Sequence, residues 1–192
     1  RELLYGPESL LALYGNVVPF ICSNTRQYPD IFLQRAAALT LCKFMCISAE
    51  YCEANLGLLL HLLRTSKDAV VRANAVIGLG DVAVCFGTLV DENSERLYAG
   101  LGDKDLGVKK NTLMVLTHLI LNGMIKVKGQ LGELAKCLED EEMRVSDLAK
   151  LFFSELAAKE NAVYNNLPDI ISHLSTGEHA VDETTFMNTM RF

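Results

Sequence analysis

The chain has 192 residues, of which half are apolar and 22% are charged, so it can bury a sizeable core. Its net charge of −6 excludes a protein that binds nucleic acid through its overall charge. The sequence contains no signal peptide and no uninterrupted apolar run of about twenty residues, so it predicts no membrane span. An apolar helix follows Arg1 directly, without an initiating Met, and we therefore expect a piece of a longer polypeptide.

Helical hairpins are predicted along the whole chain. The first pairs a helix at Pro7–Cys22, opened by a proline that suits a first helical turn, with a second helix at Asp30–Met45. The next pairs Ala49–Leu63, capped by Ser48, with Asp68–Phe86. The remaining hairpins are predicted at Glu92–Leu101 with Asp105–Leu121, Met124–Leu138 with Glu142–Ala157, and Ala162–Leu174 with His179 to the end.

The stretch Leu113–Gln130 shows most clearly how a hairpin is encoded. Its first part, Leu113–Leu121, is apolar at nearly every position, and periodicity alone leaves a buried strand and a helix open. Polar residues upstream suit a helix start, and Asn122-Gly123 is a stop signal because glycine accepts the left-handed conformation that ends helices. About seventeen residues between two such signals favour a helix. We expect Leu116 and Leu119 to be fully buried in it.

A register near 37 residues recurs through the second helices, and repeats of this length are typical of solenoids. An apolar residue near the start of each second helix marks the register, at spacings of 38, 37, 37 and 36: Leu33, Val71, Val108, Val145 and Val181. An acid stands three residues before each mark, where the helix dipole favours it: Asp30, Asp68, Asp105, Glu142 and Glu178. A small residue that allows close packing stands four residues after each mark: Ala37, Ala75, Thr112, Ala149 and Thr185.

This register predicts an all-α fold, an α-solenoid of about five HEAT repeats at roughly 7–46, 49–86, 92–121, 124–157 and 162–192. Armadillo repeats are longer and have three helices, and tetratricopeptide repeats need a Trp, Tyr and Pro pattern that is missing here. A single irregular bundle would not predict a register that recurs in this way. Gly78 and Gly80, which each weaken the helix Asp68–Phe86 by roughly 1 kcal/mol relative to alanine, predict close helix packing.

The uneven distribution of charge selects candidate contact residues. Residues 103–130 hold five lysines against two aspartates, whereas residues 131–160 hold eight acids against four basic residues. Lys109 takes the place at which HEAT repeats pair a basic residue with an acid of the preceding turn, here Asp103. Lys110, Lys126 and Lys128 have no such role, and we select them as contacts for DNA phosphates or an acidic partner. The alternative is that they are ordinary surface lysines.

Two further polar features have structural and functional interpretations. Arg72 holds the same register position as Lys109, but the residue at the corresponding place in the preceding turn is Ser66 rather than an acid. The partner of Arg72 is therefore left open. The acidic run Glu139–Glu142 lies at a turn, where a solvated loop with helix-start charges is the simpler interpretation. The functional interpretation is a contact for a basic partner or for a divalent ion.

The six cysteines and four histidines form no catalytic motif. Most cysteines lie in apolar helical runs without a Cys-x-x-Cys pair, as buried thiols do in a reducing compartment. A zinc site from Cys42, Cys46 and Cys52 is an alternative, although no histidine lies close in sequence to complete it. His61 and His118 lie in apolar helices, where a structural role is the simpler interpretation. The sequence therefore predicts a protein that is not an enzyme and has no cofactor or metal.

Four segments of the chain carry a resemblance to a known family. They read VKKNTLMVLTHLILN from Val108, MIKVKGQ from Met124, LAKLFFSEL from Leu148 and YNNLPDIISHLS from Tyr164. These segments resemble the condensin subunit 1 family, the HEAT-repeat regulatory subunits of the chromosome-condensing SMC complex. The resemblance is close over residues 103–175 and looser before them. Val127 stands where subunits of the second condensin complex tend to carry Trp, which favours the condensin I type.

The resemblance implies a scaffold for mitotic chromosome condensation that binds the kleisin subunit and the SMC ATPase subunits, with double-stranded DNA as a further partner. It implies a location in the nucleus and cytoplasm, and on chromosomes in mitosis, and it supplies no catalytic residues. One rival hypothesis is another HEAT-repeat adaptor or transport receptor that binds peptide segments only. A second rival is an enzyme whose site is built across repeats, but no turn of the sequence clusters His, Ser or Cys with carboxylates.

Overall fold

The computed structural model describes residues 8–125, 131–158, 168, 171–172, 174–176 and 180–191. All regular secondary structure in these residues is helical. None of the helices found there combines the length and the apolar character needed to cross a membrane. The chain divides into two compact units, unit 1 at residues 1–100 and unit 2 at residues 101–192.

Unit 1 is built around long helices joined by short turns. Its helices are α1 (Leu10–Tyr14), α2 (Val17–Ser23), α3 (Ile31–Met45), α4 (Ala49–Thr65), α5 (Ala69–Cys85), α6 (Gly87–Asp91) and α7 (Ser94–Tyr98). Connections of three residues join α3 to α4 and α4 to α5, which is typical of helical hairpins. α3 packs most extensively along α5, and both helices pack against α4. The second helices of neighbouring hairpins, α3 and α5, therefore lie side by side.

Unit 2 repeats this arrangement with a second pair of long helices. Its helices are α8 (Leu106–Leu121), α9 (Leu131–Lys136), α10 (Met143–Ala158) and α11 (Glu183–Thr189). A first 3-10 turn, Ala99–Gly102, contains the boundary between the units in the chain, and a second lies at Cys137–Glu139. α8 packs along α10, while α9 and the second 3-10 turn pack against α11. In each unit, the second helix of one hairpin lies along the second helix of the next. This arrangement confirms the predicted all-α HEAT-repeat fold. The boundaries of the five repeats stay a prediction.

Aspartate caps begin three of the second helices, as the register predicts. Each cap is extended, and its carboxylate accepts a hydrogen bond from the backbone N–H three residues later. The distances are 2.7 Å from Leu33 N to Asp30, 3.0 Å from Val71 N to Asp68 and 3.1 Å from Val108 N to Asp105. The small residues that follow the register marks are all buried: Ala37, Ala75, Thr112, Ala149 and Thr185. These residues determine where each second helix begins and how closely its neighbour approaches.

The last second helix begins later than the sequence predicts. α11 starts at Glu183, and Asp182 caps it by accepting a hydrogen bond from Thr185 N at 3.0 Å. Val181 precedes this cap, and its N–H donates to Leu174 O at 3.0 Å. The predicted register mark at Val181 is therefore wrong, because aspartate is a better N-cap than glutamate and sets the start downstream. Residues 178 and 179, where the sequence predicts the acid and the first residue of this helix, lie outside the described residues.

The predicted first helix Pro7–Cys22 is interrupted at Gly15. Pro19 lies four residues later and has no backbone N–H, so the helical hydrogen bond to the Gly15 carbonyl cannot form. The Tyr51 hydroxyl on α4 donates to that carbonyl instead, at 2.6 Å. α1 and α2 are therefore separate helices, and a neighbouring helix satisfies the carbonyl at the break.

Two other first helices are also shorter than predicted. In place of one helix at Glu92–Leu101, α7 ends at Tyr98 and a 3-10 turn follows, where Gly100 and Gly102 have low helix propensity. In place of one helix at Met124–Leu138, the described helix α9 begins at Leu131 and changes to a 3-10 turn at Cys137. Most of the predicted helix Ala162–Leu174 lies outside the described residues.

The end of α8 confirms the predicted stop signal. Gly123 lies just beyond the helix with φ of +66°, in the left-handed region. Gly123 N donates to Ile120 O at 3.0 Å and Met124 N donates to Leu119 O at 2.8 Å, which together form a Schellman motif. Leu116 and Leu119 are fully buried, as the sequence predicts.

Gly78 allows α5 to approach α3 closely. A Cβ atom at this position would lie 2.6 Å from Cys42 Cβ, and nearer still to Cys42 Sγ, which is far inside van der Waals contact. Cys42 is itself buried and donates through its thiol to Asn74 O at 3.7 Å, so it has little room to move. The predicted close packing is confirmed at Gly78, whereas that at Gly80 stays a prediction.

We expect Gly78→Ala to lower the free energy of unfolding by about 1–2 kcal/mol, because the methyl group overpacks Cys42 by more than helix propensity gains. Gly57→Ala is the matched control, since Gly57 is exposed on α4 with open space where a Cβ would lie. The control should raise the free energy of unfolding by up to about 1 kcal/mol. Urea unfolding followed by circular dichroism measures both, and a stabilised Gly78→Ala variant would contradict the close approach.

Candidate interaction surface

Two rows of exposed apolar side chains run along α3 and α5 in unit 1. Phe32 and Leu39 lie seven residues apart on α3, and Val70, Ile77 and Val84 lie seven residues apart on α5. Seven residues are about two helical turns, so each row occupies one face of its helix. The first two members of each row hold the same positions in the repeat register. α3 packs along α5, so the two rows lie on adjacent helices.

Unit 2 exposes apolar side chains at the same register position. Met114 on α8 and Leu151 on α10 correspond to Leu39 and Ile77, each six residues after a register mark. The four side chains are 54%, 53%, 42% and 44% exposed in that order. Because large apolar side chains recur at one exposed register position, we take this position as the candidate interaction surface. The name second-helix face denotes Phe32, Leu39, Val70, Ile77 and Val84 in unit 1, and Met114 and Leu151 in unit 2.

Of the three lysines selected from the sequence, Lys110 borders the second-helix face of unit 2. It lies half-buried on α8, four residues before Met114, and residues four apart share a helix face. Lys126 and Lys128 lie outside the described residues, so the structure does not bring the three lysines together. Their role as contacts for DNA or a partner stays a prediction. Selecting candidate contact residues by charge missed the exposed apolar residues, although their recurring position in the register could have identified them.

Lys109 pairs with a different acid from the one that the sequence predicts. Its ammonium Nζ lies 2.7 Å from Asp140 Oδ2, and both side chains are partly buried. Asp140 stands at the turn before α10, in the repeat after Lys109, whereas Asp103 stands at the turn before α8. Asp103 Oδ1 accepts a hydrogen bond from the backbone N–H of Asp105 at 2.8 Å. The prediction of Asp103 is wrong, because the ion pair ties α8 to the following turn rather than to its own.

Arg35 forms the equivalent ion pair in unit 1. Its guanidinium donates to both carboxylate oxygens of Asp68, at 3.0 Å from Nε and 2.7 Å from Nη2, and so connects α3 to the turn before α5. These hydrogen bonds hold the pKa of Asp68 below its ordinary value, and Lys109 has the same effect on the pKa of Asp140. Arg72 donates from Nη1 to the carbonyl of Ser66 at 2.8 Å, within its own turn.

The acidic run Glu139–Glu142 has partners within unit 2. Asp140 binds Lys109, and its second oxygen accepts the N–H of Glu142 at 3.0 Å. Glu139 accepts hydrogen bonds from the hydroxyl of Thr185 at 2.9 Å and from the amide of Asn188 at 3.1 Å, both on α11. These contacts favour the structural interpretation of the run. Among the residues that the structure describes, no group of three His, Cys, Asp or Glu side chains could hold a metal ion.

The cysteines considered for a zinc site are protonated thiols at neutral pH. Burial raises the pKa of Cys42 and of Cys46 to about 12, and that of Cys52 to about 11. The thiolate, rather than the thiol, is the metal ligand and the nucleophile. The environment of these three side chains therefore favours packing over chemistry.

Helical hairpins whose second helices pack along one another define a HEAT-repeat protein. Residues 70–192 match the family model of non-SMC mitotic condensation complex subunit 1. The chain belongs to this family, which confirms the resemblance seen in the sequence.

The chain is similar to condensin complex subunit 1 from fungi and animals. It is 48% identical to the Saccharomyces cerevisiae protein over 192 residues and 48% identical to the Schizosaccharomyces pombe protein over 194 residues. It is 44% identical to the Homo sapiens protein over 190 residues. These alignments cover 99–100% of the chain, and the chain spans 14–17% of the length of these relatives.

We expect Lys109→Met to lower the free energy of unfolding by about 1–2 kcal/mol, because it leaves the partly buried Asp140 carboxylate without its cation. Lys150→Met is the matched control, since the Lys150–Asp147 pair is exposed and separated by 3.3 Å. The control should change the free energy of unfolding by less than about 0.5 kcal/mol. Urea unfolding at neutral pH measures both.

The effect of Lys109→Met should depend on pH in a defined direction. The pKa of Asp140 is lowered from 3.8 by Lys109, so the stabilisation is present above that value and is lost as the pH falls through the folded-state pKa. The pKa of Lys109 is raised from 10.5 by Asp140, so the stabilisation is present below that value and is lost as the pH rises past the folded-state pKa. If the difference in free energy of unfolding between the unaltered protein and Lys109→Met stays constant into strong acid, that result would argue against the ion pair.

Proposed function

We propose that this chain forms part of a non-catalytic scaffold in condensin that binds the kleisin subunit and the SMC ATPase subunits. The recurring second-helix face is the observation that carries the proposal. Exposed aliphatic side chains at a constant register position suit an extended partner segment that crosses successive second helices. The scaffold would act in mitotic chromosome condensation, in the nucleus and cytoplasm and on chromosomes in mitosis.

Family membership supports this proposal over its two rivals. The relatives are named as subunits of condensin, which favours a condensin scaffold over a HEAT-repeat adaptor or transport receptor that binds peptide segments only. The same names favour a subunit over an enzyme whose site is built across repeats.

Double-stranded DNA is a further proposed partner, supported by the lysines of residues 103–130, where five lysines stand against two aspartates. Lys110 borders the second-helix face of unit 2, and Lys126 and Lys128 follow α8 in the sequence. Lysines that contact phosphates release counterions from the duplex, so binding through them weakens as salt rises. A protein partner bound through apolar contacts would not show this dependence to the same degree.

We expect Leu39→Glu with Ile77→Glu to weaken binding of the kleisin subunit at least about tenfold, because each change removes apolar burial and adds a charge that must be desolvated. Leu13→Glu with Val17→Glu is the matched control, since both residues are exposed on α1 and α2 and neither belongs to the second-helix face. Isothermal titration calorimetry with purified kleisin subunit measures both variants, and circular dichroism checks their helical content. Equal losses of kleisin affinity in the two variants would show that the second-helix face is not part of the interface.

We expect Lys126→Glu with Lys128→Glu to weaken duplex DNA binding by the kleisin-bound protein. The slope of log affinity against log salt concentration should fall in magnitude by about 0.9 for each phosphate that the variant no longer neutralises. Lys136→Glu with Lys150→Glu is the control, since it makes the same change of charge at exposed positions of unit 2. Affinity for the kleisin subunit should stay unchanged in both. Unchanged DNA affinity at low salt would leave Lys126 and Lys128 as ordinary surface lysines, and a loss of kleisin binding would assign them to the protein interface.

A further inference from the structure

A cavity of about 600 Å³ opens in unit 1 between the loop that joins α2 to α3 and the turn that joins α4 to α5. This volume lies within the range of roughly 300–1,000 Å³ typical of ligand pockets. Buried apolar residues form one wall: Cys22, Ala38, Leu62 and Val71. No residue of the second-helix face lines the cavity, so it is a separate feature of the unit.

Basic side chains from three separate segments also line the cavity. Arg26 belongs to the loop before α3, Lys67 to the turn before α5, and His61 to α4, and all three are exposed. Within the described part of the chain, neither Arg26 nor Lys67 forms a hydrogen bond or an ion pair through its side chain. A guanidinium and an ammonium group are therefore available to one ligand in the cavity.

The acid that lines the cavity does not offset this positive charge. Asp68 accepts two hydrogen bonds from the guanidinium of Arg35, at 3.0 and 2.7 Å, and a third from Val71 N at 3.0 Å. Arg35 is not among the residues that line the cavity, so its charge is balanced by Asp68. Arg26 and Lys67 then give the cavity a net positive charge.

We propose that this cavity binds an anionic side chain of a partner protein, either a carboxylate or a phosphoserine, within an extended segment. Arginine matches carboxylate and phosphate oxygens with a planar pair of donors, and lysine adds a second positive charge. A neighbouring apolar side chain of the segment packs on Ala38 and Leu62. A peptide suits the cavity better than duplex DNA, because a duplex is held by many cations along its backbone and offers no side chain for an apolar wall.

Fluorescein-labelled peptides that contain Leu-X-Leu, where X is glutamate, phosphoserine or glutamine, test this assignment by fluorescence anisotropy with the purified protein. We expect an anionic peptide to bind at least about tenfold more tightly than the glutamine peptide, because charge-assisted hydrogen bonds are roughly twice as strong as neutral ones. Tighter binding of the phosphoserine peptide would identify a phosphorylated partner. Equal or tighter binding of the glutamate peptide would identify an acidic one.

Arg26→Ala with Lys67→Ala should abolish the preference for the anionic peptide. Arg64→Ala with Arg96→Ala is the matched control, since it removes the same charge from exposed residues of unit 1 that do not line the cavity. The control should keep the preference, and circular dichroism checks that both variants are folded. Equal binding of the three peptides overturns the proposal, as does an equal loss in the two variants. A mixed-sequence DNA duplex that displaces the phosphoserine peptide, and itself binds the Arg26→Ala, Lys67→Ala variant more weakly, would overturn it in favour of nucleic acid.

Discussion

The carboxylate of Asp68, in the turn before α5, connects α5 to α3. It caps α5 through the N–H of Val71 and binds the guanidinium of Arg35 on α3. The cap determines where α5 begins, and the ion pair determines which part of α3 lies beside that start. Because both helices are regular, later residues of α5 then have defined neighbours on α3, including Gly78 beside Cys42.

In unit 2, two different aspartates form the helix cap and the ion pair. Asp105 caps α8, and Asp140 receives Lys109 at the turn before α10. Each unit thus uses a carboxylate at an inter-helix turn to set the alignment of one second helix with the next. The buried small residues then allow the aligned helices to approach, as Thr112 does on α8.

Features that depend on a few consecutive residues could be predicted from the sequence. The cap at Asp105 and the stop at Gly123 need only local backbone geometry, and both were predicted correctly. The partner of Lys109 could not be predicted in this way, because the distance to Asp140 depends on how the next hairpin packs. The break in the first helix could be predicted only in part from the sequence. Pro19 is visible in the sequence, but the hydroxyl that satisfies the Gly15 carbonyl comes from α4.

The candidate surface was only partly accessible to sequence reasoning. A block of lysines is easy to recognise, whereas an aliphatic residue inside a helix is readily assigned to the core. Met114 is separated from the buried Val108 by six residues, which turns its side chain away from the core side of α8. The exposure of Met114 follows only from the register and the helix boundaries together, and several of the boundaries differ from those that the sequence predicts. Lys110 was selected for its charge, and its place beside Met114 became apparent from the helix.

Gly78 has a consequence for recognition as well as for packing. Its missing side chain sets the separation of α3 and α5, and that separation sets how far Leu39 lies from Ile77 on the neighbouring helix. A partner segment that crosses both helices must match this spacing. A buried residue outside the second-helix face thus determines the geometry of that face, and a larger side chain at Gly78 would weaken the proposed binding although every residue of the second-helix face is intact.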